Sequence, residues 1–309
     1  MIGVCHFGTF SGKLLVIRPN INNMTSGILF GLLASFCVGL SLVFIKKSYE
    51  ELPASISFAF QAIFGILVWI PFALFIGITF KFILLTLAIA LLSAILSEAF
   101  YYYIFQKADV GITGAVFSTY PLFTIAFAFL FLGEQLPFKL FLFALVIVIG
   151  IIILSIPNKI QGIVHKNKAI FWGLIGAGAI GFADTISKGV IDKTSAATFL
   201  FALAIMQIPV AIIFLKQQNE TVSQFLKIFS QIQKYKYAII GAFLGTIAVL
   251  FLWLTFEVTY ASIASPLTGS YPLFTLLLAY FWLKEKLSLR DWIGSLIIIA
   301  GVLGVSTIV

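Results

Sequence analysis

The chain has 309 residues, of which 10% are charged and 61% hydrophobic, with 34 phenylalanines and a mean hydropathy of +1.15. Soluble domains carry roughly 25% charged residues, so this composition excludes a soluble globular protein and specifies a polytopic membrane protein. The net charge of +8 calls for no nucleic-acid partner, because the lysines and arginines lie between apolar runs, where they anchor helix ends at lipid headgroups. Cys5 and Cys37 are too few for a disulfide framework. His6 and His165 stand far apart with no carboxylate or thiol cluster beside them, so neither a metal nor a cofactor is expected.

Residues 1–24 are of mixed character and lack the basic start, apolar core and small-residue cleavage site of a signal peptide. They read as a poorly structured tail, or as residues ahead of a start at Met24. Beyond them, a spanning helix needs about 20 mostly apolar residues. That rule places spans near 26–46, 54–76, 82–105, 110–132 and 138–156, then 168–190, 195–215, 237–257, 261–283 and 290–308. Between the seventh and eighth, Val222, Phe225, Leu226, Phe229 and Ile232 recur with the spacing of a helix lying in the membrane interface.

The chain writes one stretch twice. Tyr120-Pro121-Leu122-Phe123-Thr124 returns as Tyr271-Pro272-Leu273-Phe274-Thr275, an offset of 151 that also pairs Glu134 with Glu285 and Gly150 with Gly301. At an offset of 142, Gly31, Ser35, Gly39 and Lys46 pair with Gly173, Ala177, Gly181 and Lys188. The expected organisation is a tail (1–24), a first repeat (25–157), a linker (158–167) and a second repeat (168–309). Five spans per repeat is an odd number, so the second repeat must enter from the opposite side. The fold expected is an all-α membrane protein of ten transmembrane helices in two inverted five-helix repeats, on which many secondary transporters are built. A proline inside a helix frees the carbonyl four residues back: Phe117 for Pro121, Thr268 for Pro272, Ser262 for Pro266. Freed carbonyls at membrane depth survive only where protein or a wet cavity covers them. Pro121 and Pro272 are therefore expected to face a cavity between the halves, and Pro121, Pro272 and Pro266 to act as hinges.

Each repeat has a proline-bearing fourth span, then Gly133-Glu134 or Lys284-Glu285, then a glycine-rich fifth span. This ordered set resembles the EamA branch of the drug/metabolite transporter superfamily, from about Thr25 to Thr307, with Lys284 departing from the Gly133 of the first copy. The resemblance implies a central cavity lined mainly by spans 1, 3, 4, 6, 8 and 9, with 5 and 10 peripheral. It also implies movement of small organic solutes across a membrane, often outward. The side holding Lys46 and Lys47 carries thirteen of the 19 lysines and arginines, which by the positive-inside rule puts both termini outside; the resemblance implies the reverse.

Glu98 lies too deep in the third span for its side chain to reach the interface. It reads as a cavity carboxylate that binds a substrate amine or carries a proton, as a buried partner of Lys46 or Lys188, or as a protonated acid hydrogen-bonded to a backbone carbonyl. Those two lysines occupy equivalent positions, and each is either a substrate ligand or a helix-end anchor; Asp184, four residues before Lys188, has ion-pair spacing to it. Thr113, Phe117, Tyr120 and Thr124 on the fourth span match Ala264, Thr268, Tyr271 and Thr275 on the ninth, two stripes suited to a cavity wall or to helix packing. Among Tyr101, Tyr102 and Tyr103 at most two can face one pore, and Trp253 is the equivalent of Tyr102. The candidate substrate-binding set is thus Glu98, Tyr120, Thr268, Tyr271, Lys188, Lys46, Tyr102, Trp253, Thr124 and Thr275. Glu134 and Glu285 read as structural carboxylates at the starts of the fifth and tenth helices, and Gln61 and Gln207 as buried amides needing partners. No catalytic constellation or phosphate-cradling loop is present in the sequence, so no enzyme is expected. The expectation is a multi-pass cell-membrane transporter that works by alternating access, exporting a small organic solute, with protons as the candidate coupling ion. A flippase for a lipid-linked precursor and a non-transporting membrane sensor or enzyme are the alternatives, and oligomeric state is not legible.

Overall fold

A bilayer offers backbone groups no hydrogen-bond partners, so an apolar chain crosses it most simply as helices that satisfy themselves. The computed structural model describes residues 21–49, 51–107, 116–156, 166–231, 233–282 and 288–308, and all regular structure among them is helical. The first repeat supplies α1 (Ile21–Ser48), α2 (Ala54–Ile76), α3 (Ile83–Ser93), a π-helical turn (Ala94–Ala99) and α4 (Phe100–Lys107). It continues with α5 (Tyr120–Phe127), a second π turn (Ala128–Leu132) and α6 (Phe138–Ser155). The second supplies α7 (Lys166–Ile191), α8 (Ala196–Gln217), α9 (Val222–Phe229), α10 (Lys236–Val258), α11 (Ala261–Gly269), α12 (Tyr271–Trp282) and α13 (Leu289–Ile308). Most of the 1–24 and 158–167 segments, together with Thr113, Lys284 and Glu285, lie outside the described residues.

Eight helical segments among the described residues are long and apolar enough to cross a membrane. The two exceptions are the proline-bearing spans, and they correct an expectation. Pro121 and Pro272 do not kink continuous helices; each stands in the first turn of a new one, α5 and α12, where its missing N–H has no intrahelical carbonyl to lose. The preceding turns are built alike. Leu122 N donates to Thr119 O at 2.9 Å, and Leu273 N to Ser270 O at 3.0 Å. The Thr268 carbonyl does not open on a wet cavity either. Ser35 Oγ of α1 lies 2.9 Å from it and 2.7 Å from the Leu267 carbonyl.

Packing follows the repeat. α1 lies on α10 as α7 lies on α3, α1 on α12 as α7 on α5, while α2 pairs with α8 and α6 with α13. Exchanging the two repeats maps this set of pairs onto itself. The match reaches single atoms, because small residues let backbones touch. A Cβ on Gly39 would stand 3.1 Å from Thr275 N, and one on Gly181 2.8 Å from Thr124 N. One on Gly150 would meet Ile298 N at 2.9 Å, and one on Gly301 would meet Ile147 N at 2.9 Å. Phe58, Phe60, Trp69, Phe199 and Leu200 fill the core around α2 and α8. α9 forms where the amphipathic pattern places it, started by a Thr221–Gln224 capping box, with Phe225 packed on Phe60 at 5.1 Å between ring centroids; Ile232 is outside the described residues.

Glu134 caps a different helix from the one expected. Gly133, at φ +65°, takes the left-handed conformation that ends the α5 segment, and this turns Glu134 away from α6. Its carboxylate accepts from Ala261 N (2.7 Å), Ser262 N (3.0 Å) and Ser262 Oγ (2.6 Å), so it caps α11 of the other repeat. Glu134→Ala should cost about 1–2 kcal/mol, the upper range for a lost N-cap, read as a lower unfolding temperature in detergent. Burial pushes the Glu134 carboxyl above its ordinary value, and the Ser262 and Ala261 donors and Lys188 offset that rise incompletely. The folded state then binds a proton more tightly than the unfolded state does. The Glu134 contribution is fully present below the ordinary carboxylate pKa and is lost as pH rises through the raised value. The fall in unfolding temperature over that pH range should be smaller in Glu134→Ala than in the parent, where other buried carboxyls such as Asp192 contribute to it as well.

Candidate functional site

A cavity of about 130 Å³ lies between the repeats. α1, α2, the α3–α4 segment, α5, α7, α10, α11 and α12 contribute to its wall, while α6 and α13 contribute nothing, as the resemblance implied. The wall itself is built on the repeat. Val38 and Ile180, Ser97 and Ala248, Glu98 and Val249, Tyr101 and Leu252, Phe117 and Thr268, and Tyr120 and Tyr271 are equivalent positions, and all of them line it. The positions are symmetric and the chemistry is not: the α3–α4 side presents a serine, a glutamate and a tyrosine where α10 presents alanine, valine and leucine.

The local cause on the polar side is the π turn. Its closing bond runs from Phe100 N to Ile95 O, five residues back, in place of the α-helical four. Such single-turn bulges inside α-helices are frequent at functional sites. Ser97 and Glu98 sit on this turn, followed at once by Tyr101 and Tyr102, and all four reach the cavity. Glu98, 7% exposed, accepts a hydrogen bond from Gln61 Nε2 of α2, and the Tyr102 hydroxyl donates to Gln61 Oε1. A carboxylate at mid-helix depth costs roughly 2.5–3.5 kcal/mol. One hydrogen bond to a charged group returns about 1.5–3 kcal/mol, so Gln61 offsets much of the cost of Glu98. Neither Lys46 nor Lys188 is its partner.

Asp184 of α7 faces the same cavity at 3% exposure, and no hydrogen bond reaches its carboxylate among the described residues. The expected ion pair with Lys188 is not formed. Lys188, 4% exposed, donates instead to Asp192 at 2.6 Å, one turn further on. An acid stands four residues to either side of this lysine, so the i,i+4 rule allowed both pairings.

The cavity therefore brings together Glu98, Tyr102, Tyr120, Thr268 and Tyr271 from the expected set, and leaves out the other five. Lys46 is exposed at the end of α1. Trp253 is fully buried against Phe199, with ring centroids 4.6 Å apart. Thr124 Oγ1 receives a hydrogen bond from Ser265 Oγ at 3.0 Å, and Thr275 packs on Gly39. Pro121, Pro266 and Pro272 lie outside the wall; it is their neighbours Tyr120, Thr268 and Tyr271 that line it. The sequence singled out Gln61 as an amide in need of a partner but could not supply Glu98 and Tyr102. It also gave Asp184 to Lys188. An unshared intramembrane acid was the signal that could have pointed to the cavity.

Apolar helices long enough to span a bilayer, packed around a cavity between two repeats, define a multi-pass integral membrane protein. The chain matches the EamA-like transporter family over residues 25–156 and 167–307, and it belongs to that family. An uncharacterized protein of Methanocaldococcus jannaschii is 33% identical to it over 142 residues, 44% of this chain and the whole of that protein. A solved crystal structure superposes with a TM-score of 0.66 at 16% identity, covering 92% of this chain and 97% of its own, which shows a shared fold.

A double-mutant cycle checks the Lys188 pairing. Stripping a buried ion of its partner costs about 3–5 kcal/mol, yet after Asp192→Asn the Lys188 ammonium can turn one helical turn back to Asp184. Asp192→Asn should therefore destabilise less than that alone and by the full amount in an Asp184→Asn background. The expected coupling is at least ~1 kcal/mol, within the range for contacting residues, measured by thermal unfolding in detergent. Additive effects would show that Lys188 does not exchange partners.

Proposed function

We propose that this protein is a secondary transporter that carries a small organic metabolite across the cell membrane by alternating access, outward in direction. One observation carries the reading: both repeats wall a single cavity with equivalent positions. A site on the axis that relates two halves is one that either half can close when they rock. The paired crossings of α1 on α10 with α7 on α3, and of α6 on α13, support rocking of one repeat against the other. Two inverted repeats of five spans each, with the breaks before α5 and α12 as hinges, fit the odd number of spans per repeat. The breaks leave short helical ends beside the cavity that can turn without disturbing the long helices. The Glu134 cap on α11 ties the repeats together at one end of that moving region.

Glu98 is the group proposed to couple protons to transport. It faces the cavity, and Gln61 holds it by a hydrogen bond that a neutral or a charged carboxyl can accept, Gln61 being held in turn by the Tyr102 hydroxyl. In liposomes, flux across a metabolite panel should respond to an imposed pH gradient. Glu98→Gln should lose that response and slow gradient-driven flux at least ~10-fold, about 1.4 kcal/mol in the barrier. A gradient response that survives in Glu98→Gln rules out Glu98 as the coupling site. If the parent moves no soluble solute but does move a lipid-linked one, the protein is a flippase.

A further inference from the structure

We propose that the cavity selects small organic cations and that Asp184 is the counter-ion for their positive charge. The inference rests on the transporter reading above and names its substrate class. Of the eighteen residues lining the cavity, two are acidic, Glu98 and Asp184, and none is basic. The two lysines that could have neutralised them are occupied elsewhere: Lys46 is exposed, and Lys188 is held by Asp192. The two acids also differ in what they already bind. Glu98 is bonded to Gln61, whereas Asp184 is 97% removed from solvent, points into the cavity and has no hydrogen-bond partner among the described residues.

The rest of the wall suits a cation as well. Tyr101, Tyr102, Phe117, Tyr120 and Tyr271 line the same cavity, and aromatic faces attract ammonium groups through their quadrupoles. An anionic solute would meet like charge with nothing to offset it, and a neutral one would leave the Asp184 charge uncompensated. An amine or quaternary ammonium satisfies Asp184 and lies on the rings at the same time. The size is limited too, since about 130 Å³ is well below the roughly 300–1,000 Å³ of pockets for drug-sized ligands. Lys188 adds a built-in competitor: it stands one helical turn from Asp184 along α7, and its ammonium is held by Asp192.

Three probes of one shape and different charge test this on the purified full-length protein in nanodiscs: benzylamine, benzyl alcohol and benzoate, with choline as a second cation. Benzylamine and choline should bind, and benzylamine should bind at least ~10-fold tighter than benzyl alcohol or benzoate, about 1.4 kcal/mol. Asp184→Asn should remove the preference of benzylamine over benzyl alcohol, and Asp184→Glu should retain it. Asp192→Asn, which leaves the cavity wall untouched, should reduce the preference several-fold by freeing Lys188. A merely structural role for Asp184 would weaken all probes together and leave their ratio unchanged. Binding of benzyl alcohol or benzoate as tight as that of benzylamine, no binding of either cation, or an unchanged ratio in Asp184→Asn would overturn the proposal. The transporter reading fails separately, if both cations bind through Asp184 and neither crosses the liposome membrane.

Discussion

A proline in a membrane-spanning segment leaves a carbonyl without its donor, and the bilayer supplies no other. Much of this structure answers that constraint. The chain does not bend around Pro121 and Pro272. It stops and restarts, placing each proline in a first turn where its missing N–H is harmless. Stopping creates new helix ends at membrane depth, and these need partners of their own. Ser35 reaches from α1 to the end of α11, and Glu134 reaches from the first repeat to its beginning. Both ends of α11 are thus held by side chains from the other half of the molecule. A short helix tied in this way belongs to both halves at once.

The first repeat does not answer the constraint in the same way. Ala177 stands where a second Ser35 would be, and Gly111 where a second Ser262 would be, so neither hydroxyl used around α11 has a counterpart. The halves share backbone crossings, with Gly39 and Gly181 against Thr275 and Thr124, and Gly150 and Gly301 against Ile298 and Ile147. They differ in polar chemistry. Backbone approach is set by small residues, and these persist in both copies because the loss of either would push a packed helix pair apart. Side chains facing the cavity do not set that backbone approach, so their chemistry is freer to diverge.

That difference governs what the sequence made legible. The repeat, the apolar segments and the depth of Glu98 are written in periodicity and spacing, and they led to the fold and to one wall of the cavity. Tyr120, Thr268 and Tyr271 followed because their stripes lie beside the helix breaks. Equivalence between copies misled where the chemistry had diverged: Tyr102 lines the cavity and bonds Gln61, while Trp253 at the same position packs on Phe199. Lys46 and Lys188 likewise match by position, yet one meets solvent and the other a carboxylate. The Glu98–Gln61–Tyr102 chain joins residues that lie far apart along the sequence, and no local rule could have assembled it. Nor could spacing choose between Asp184 and Asp192 for Lys188, since both stand one turn away.

The choice that the fold makes there has consequences for how charge is distributed. Lys188 lies within the electrostatic reach of Glu134 and Glu257 as well as its partner Asp192, so its charge serves the end of the bundle where the repeats are tied. Glu257 in turn accepts from Ala196 N at 3.2 Å, at the start of α8. One lysine thus pairs with Asp192 and moderates two carboxylates that hold helix starts, and the cavity one turn away keeps two acids and no base. Had Lys188 turned towards Asp184, it would offset one of the two acidic charges of the cavity, and the carboxylates at the bundle end would lose the cation that moderates them. Structural and solute-facing charge are separated by one helical turn of α7, and Lys188 is the residue that sets the boundary.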